Sequence, residues 1–252
     1  MTQILVPDVP NVSLVAFYGS KDAELKSLIL LLQDCIANRL GSKFERYSLG
    51  QVHGTIIGCE GLQTEKGILS KWFLELRNES RYIDLAEFIT YIRNHDSLPM
   101  VVRIGGYDLT IDYQFLSRNQ HPYARSFQFQ GNIGVLMGWE YKNKQILFNL
   151  HRLRFEAQKF NLLHKYYKKA DGVDNDFYMR LGILNGKPSD AEITKLEEEI
   201  RGLLTEISPL YVLIDVNSLS FIGFQDSLVP VETTRVIPFN QVTIDNLKAL
   251  YP

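Results

Sequence analysis

Gln51-Val52-His53-Gly54-Thr55-Ile56-Ile57-Gly58, QVHGTIIG, is the stretch on which the reading of this chain turns. It predicts a half-buried strand. Side chains at i and i+2 of a strand share a face, so His53 and Thr55 point to one side while Val52, Gly54 and Ile56 point to the other. Histidine has an unperturbed pKa of about 6.5, which lets it give or take a proton near neutral pH. One imidazole rarely makes an active site, and an ordinary histidine at the start of a strand carries the same signature. The decision rests on what the rest of the chain puts opposite His53.

Working outward, Val12 to Tyr18 is β-rich and ends at Gly19-Ser20. Asp22 to Leu40 then carries Leu25, Leu28, Ile29, Leu32, Ile36 and Leu40 at helical spacing, with Ser20 as the expected N-cap and Gly41 as the stop. Beyond the quoted strand lies a charged segment, Glu60 to Arg81, which reads equally as a lid or an insertion. Leu85 to Asn94 predicts a short amphipathic helix with the stripe Leu85, Phe88, Ile89 and Ile92. Strands follow at Met100 to Ile104, Ser126 to Gln130 and Ile133 to Trp139. In the second half, Asn149 to Lys168 predicts a helix and Phe177 to Leu184 a strand. Ser189 with Glu192 three residues on is a capping box that opens a helix to about Ile207. One long strand within Tyr211 to Phe224 and another over Thr233 to Phe239 close the chain. No linker or low-complexity tract interrupts residues 1–252, so the expectation is a single α+β domain.

Composition narrows the classes of function. The 252 residues are 45% hydrophobic and 22% charged, ordinary for a globular protein with a real core. A net charge of −2 and a pI near 6.2 supply no basic field, which argues against non-specific binding of duplex DNA. Cys35 and Cys59 form no CxxC and no disulfide framework, and the N-terminal MTQILVPDVPNV lacks the charged start and apolar core of a signal peptide. The longest apolar run, Leu28 to Leu32, is too short to span a bilayer. A soluble, cytoplasmic protein without membrane association is expected. No P-loop, G-x-G-x-x-G, HExxH, GxSxG or zinc-like Cys/His spacing occurs, so neither a cofactor nor a metal site is indicated.

Each half thus runs strand, helix, strand, with His53-Gly54-Thr55-Ile56 in the first and Phe177 to Leu184 in the matching place of the second. This arrangement resembles the two-histidine phosphoesterase superfamily, which includes cyclic phosphodiesterases of RNA processing. In that family two pseudo-symmetric lobes each supply a strand reading His-x-Thr or His-x-Ser, and both strands face one central groove. The closing segment YVLIDVNSLSFIGFQDSLVPVETTRVIPFN and the strand ending at Gly105-Gly106 are similar to corresponding parts of the family. At the second motif the pattern departs: NDFYMRLGIL has Tyr178-Met179-Arg180-Leu181 where the family has His-x-Thr.

The resemblance implies a bilobal α+β fold with antiparallel sheets and flanking helices around a groove that takes a nucleotide or RNA phosphodiester. It implies His53 and Thr55 as the catalytic pair, one handling a proton and the other a phosphate oxygen. Strand alternation puts Asp176, Tyr178 and Arg180 on one face, so Tyr178 and Arg180 are candidate ligand-binding groups, Arg180 as a bidentate phosphate grip. Arg103, on the Met100 to Ile104 strand, is a further candidate for charge in the groove. The alternatives are a non-catalytic nucleotide-, RNA- or protein-binding relative, or an interaction protein on another α+β fold. The remaining histidines, His95, His121, His151 and His164, are candidates for the missing acid or base, but His151 and His164 are expected on partly exposed helix positions. His164 to Lys169 reads as a helix C-terminus whose cations suit the helix dipole or, alternatively, as an RNA-contacting stripe.

Overall fold

The computed structural model describes residues 5–169 and 171–252. Strand β1 (Asn11–Ala16) leads into helix α1 (Ala23–Leu40), whose buried stripe contains all six apolar residues picked out by their spacing. The helix begins with Asp22 rather than Ser20 at the N-cap, and Gly41 ends it with a φ of 54°, a conformation that costs glycine little. There follow β2 (Phe44–Arg46), β3 (Gly54–Gly58), the hairpin β4 (Gly61–Thr64) and β5 (Gly67–Ser70), and helices α2 (Lys71–Arg77) and α3 (Leu85–Asn94). The middle comprises β6 (Met100–Ile104), α4 (Pro122–Arg125), β7 (Phe127–Gln130), β8 (Ile133–Lys142) and β9 (Gln145–Ile146). The second half adds α5 (Asn149–Glu156), β10 (Phe177–Leu184), α6 (Asp190–Glu206), β11 (Leu210–Ile214), β12 (Leu219–Phe224), β13 (Arg235–Pro238) and α7 (Ile244–Lys248). The Ser189–Glu192 capping box is formed as expected.

The fold is α+β. The principal sheet runs β11-β6-β8-β10-β3-β1-β12-β13, antiparallel throughout, so four strands lie on each side of the junction between β10 and β3. These two central strands pair at a single position, Met179 with Gly54. The stretch from Tyr211 to Phe224 is two strands, not one. Asp215 breaks it by accepting from the amides of Asn217 and Ser218 through Oδ1. β11 and β12 stand six strand spacings apart in the pairing order, about 29 Å in a flat sheet. The chain from Ile214 to Leu219 spans at most about 18 Å. The sheet therefore curls, and its inner residues close on one core with α1, α3 and α6. Val12, Leu14, Ile56, Val102, Leu136, Met179, Val212 and Phe221 all belong to that cluster.

The helix expected over Asn149 to Lys168 stops at Glu156. A 3-10 turn (Ala157–Phe160) follows, and Asn161 takes a φ of 60° while its side chain donates to the Tyr82 carbonyl at 2.8 Å. Leu162, Leu163 and His164 are all buried, and three consecutive inward side chains do not fit one face of a helix. His164 is therefore a buried loop residue, and the run to Lys169 is not a helix terminus. Among the described residues no helix is long and apolar enough to cross a membrane.

Candidate functional site

The site is built where the two halves meet. A Cβ on Gly54 would lie 2.0 Å from Cζ of Phe177, so only glycine lets β3 approach β10 at this point. Beyond that contact the strands diverge, and Arg154 of α5 fills the gap. Its Nε donates to Ile56 O at 2.7 Å, Nη2 to Thr55 O at 2.9 Å and to Asp176 O at 3.1 Å, and Nη1 to Asp174 O at 3.2 Å and Asp174 Oδ1 at 3.1 Å. A guanidinium has five N–H donors, and here each has an acceptor. Arg154 is 1% exposed and ties the His53 strand to the segment that enters β10.

Beside this clip lies a cavity of about 500 Å³. His53 and Thr55 line it from one half and Tyr178 and Arg180 from the other, with Ser13, Ile222, Phe224 and Val229 as further wall. Val52, Gly54 and Ile56 are buried on the opposite face, as the period of two requires. Asp176 shares the face of Tyr178 but sits deeper. It accepts from Ser117 Oγ at 2.6 Å, Arg125 Nη2 at 2.8 Å and Trp139 Nε1 at 2.9 Å, so it is committed to the structure.

Arg103 does not reach the cavity. It is buried over the ring of Tyr107 and within 4.5 Å of the Tyr141 centroid, and its guanidinium donates to the carbonyls of Gly105 and Gly106. Those two glycines, both at positive φ, turn their carbonyls back to it, so its charge is spent locally.

Five wall residues come from segments where sequence spacing did not point to the cavity. Glu60, Lys71 and Trp72 belong to the charged stretch read as lid or insertion, and His164 and Lys165 to the run read as helix. Composition alone flagged both stretches. Trp72 Nε1 donates to Glu60 Oε2 at 2.9 Å. Lys71, 3% exposed, is paired with Asp8 and lies 3.8 Å from Glu75, so its charge is largely balanced. Among the described wall residues, Lys165 and Arg180 are the cations without a carboxylate partner, and Arg180 Nη1 donates to Ser227 O at 3.2 Å.

His53 Nδ1 lies 2.6 Å from Gln51 O. A carbonyl only accepts, so Nδ1 carries the proton and Nε2 keeps its lone pair. Burial pushes the His53 pKa down to about 4 against the pull of the Gln51 carbonyl, with Arg180 and Lys21 adding to the drop. The ring is neutral at pH 7. Burial alone would raise the Tyr178 phenol, but the charges of Lys165 and Arg180, with the Thr55 hydroxyl and Arg180 as hydrogen-bond partners, bring it below its ordinary value. Burial raises Glu60 above the usual carboxylate range despite the bond from Trp72.

The other histidines are elsewhere. His121 caps α4 by accepting from the Tyr123 amide, His95 packs edge-on against Tyr91, and His151 pairs with the Tyr167 hydroxyl at 2.8 Å. Among the described residues no group of three or more His, Cys, Asp or Glu side chains gathers as a metal site.

No protein-family profile and no curated protein matches the chain. Among solved structures the chain is similar to a conserved protein of unknown function, ATU0111, from Agrobacterium tumefaciens strain C58. The two share 12% identity over 86% of this chain and 81% of that one, with a TM-score of 0.44.

Proposed function

We propose that the cavity binds a phosphodiester, a cyclic nucleotide or an RNA end, and hydrolyses it. The observation that carries this reading is the meeting of His53 and Thr55 with Tyr178 and Arg180, from opposite halves, in one cavity. About 500 Å³ suits a nucleotide-sized ligand. Arg180 and Lys165 meet the phosphate charge, Arg180 through its planar fork. Thr55 donates its hydroxyl to a phosphate oxygen, and the Tyr178 phenol orients the ligand. His53 Nε2, with its proton already on Nδ1, is free to take a proton from an attacking water or hydroxyl. The apolar wall of Ile222, Phe224 and Val229 with Trp72 accommodates the nucleoside.

A second reading, binding without turnover, is favoured by Tyr178 at the strand position where the resemblance expects a second histidine. One panel separates the two. Cyclic 2′,3′-nucleotides, cyclic oligonucleotides and short RNAs are tested for binding and hydrolysis by the wild type and by His53→Ala. Turnover that falls by about 10²- to 10⁴-fold in the variant, with folding intact, supports catalysis. Binding without turnover makes the protein a ligand-holding one, and neither binding nor turnover across the panel refutes both readings.

A further inference from the structure

His164 contributes to the cavity wall from a loop rather than from a strand. It is 3% exposed. Its Nε2 lies 3.1 Å from Asp174 Oδ2, and Asp174 in turn is held by Arg154, the residue that clips the two halves together. The carboxylate accepts a hydrogen bond from Nε2–H, which leaves Nδ1 as the lone-pair nitrogen. Nδ1 is buried and has no hydrogen-bond partner among the described residues. A buried polar atom without a partner is costly and uncommon, and a wall that a ligand completes is one place where it is tolerated.

We infer that His164 is a phosphate-contacting residue of this cavity, whose Nδ1 takes up a proton as the anion enters and donates it to a phosphate oxygen, with Asp174 behind the ring. The inference rests on the phosphodiester reading above. Without ligand, burial and the charges of Arg154 and Lys165 hold His164 neutral against the pull of Asp174. Tyr166 and Tyr167 pack edge-on to the ring and contribute no charge, and Arg118 approaches Asp174 only at 3.9 Å. A phosphate anion offsets Lys165 and adds negative charge beside the unpartnered nitrogen, so the protonated ring becomes the favoured form. In hydrolysis the water proton goes to His53 Nε2 while the water oxygen bonds to phosphorus. The bond from phosphorus to the leaving oxygen breaks, and that oxygen takes the proton from His164 Nδ1. Both imidazoles return to their starting states by exchange with solvent.

The test uses the full chain with imidazole-labelled histidines and inorganic phosphate as the probe. The nitrogen resonances of His53 and His164 are followed by NMR between pH 5 and 8. Calorimetry in buffers of different ionisation enthalpy counts the protons taken up. The expected result is a movement of the His164 Nδ1 resonance to the protonated range on phosphate addition, with uptake of about one proton at pH 6. That uptake disappears in His164→Gln and persists in Glu60→Gln, which removes a wall carboxyl whose pKa burial raises. The wild-type spectrum serves as the test even where His164→Gln fails to fold. Phosphate that moves His53 but leaves His164 unchanged overturns the inference and leaves the phosphodiester reading standing. A cavity that responds to neither phosphate nor cyclic nucleotides overturns both.

Discussion

Replacing Arg154 by lysine keeps the charge and removes the planar fork that joins the halves of the molecule. The guanidinium serves five acceptors: the carbonyls of Thr55, Ile56, Asp174 and Asp176, and Asp174 Oδ1. A lysine has three donors on one nitrogen, so at least two of these five bonds are lost, although Asp174 Oδ1 keeps the Asp176 amide at 3.1 Å. Each buried group left unpaired costs about 1–3 kcal/mol, and one or two of them cost about 1–6 kcal/mol. A domain of ordinary stability holds about 5–15 kcal/mol, so the variant is expected to fold but with a much lower urea midpoint. The same change loosens the spacing between His53 and the β10 residues, so phosphate affinity is expected to fall in protein that is still folded. Equilibrium urea unfolding at pH 7 measures the first effect, and calorimetry in the absence of denaturant the second. A loss of less than about 1 kcal/mol, with phosphate binding unchanged, refutes the account of Arg154 as the clip between β3 and β10.

Two further outcomes follow from the same geometry. Gly54→Ala drives a methyl group to 2.0 Å from the Phe177 ring, which is fully buried and has no room to retreat. The expected cost is about 1–3 kcal/mol, read as a fall in thermal midpoint, and an unchanged midpoint contradicts the close approach of the two strands. Stability also depends on pH through His164. Its folded pKa of about 4 lies below an unfolded value of about 6.5, so the unfolded chain binds the extra proton. This contribution is present in full above pH 6.5 and is lost as pH falls toward 4, by about 3 kcal/mol at the lower end. His164→Gln removes that component, so its stability curve is flatter between pH 6.5 and 4. Parallel curves for variant and wild type refute the neutral buried imidazole.

The residues that sequence placed correctly are those governed by a local period. Alternation along β3 put His53 and Thr55 on one face, and alternation along β10 put Tyr178 and Arg180 on one face, because a strand turns successive side chains to opposite sides wherever it lies. Helical spacing likewise fixed the buried stripe of α1 and the whole of α3. The same reasoning failed at Asn149 to Lys168, where Phe160, Leu163 and Tyr167 keep helical spacing past Glu156 but the backbone leaves the helix and buries Leu162, Leu163 and His164 in succession.

What the tertiary structure alone decided is which periodic faces meet and what covers them. Arg103 sits on a strand like Arg180, yet Tyr107 and Tyr141 cover it and the carbonyls of Gly105 and Gly106 take its donors, which no spacing rule foretells. Glu60 reaches the cavity from the link between β3 and β4, Trp72 from the first turn of α2, and His164 and Lys165 from a loop, which has no period to project. The pairing of His164 with Asp174, ten residues apart, exists because Arg154 holds that aspartate between two strands of opposite halves. Sequence determined the faces of each element, since those depend on backbone geometry alone. The curl of the sheet and the clip at Arg154 brought those faces to one cavity, since both depend on contacts between residues far apart in the chain.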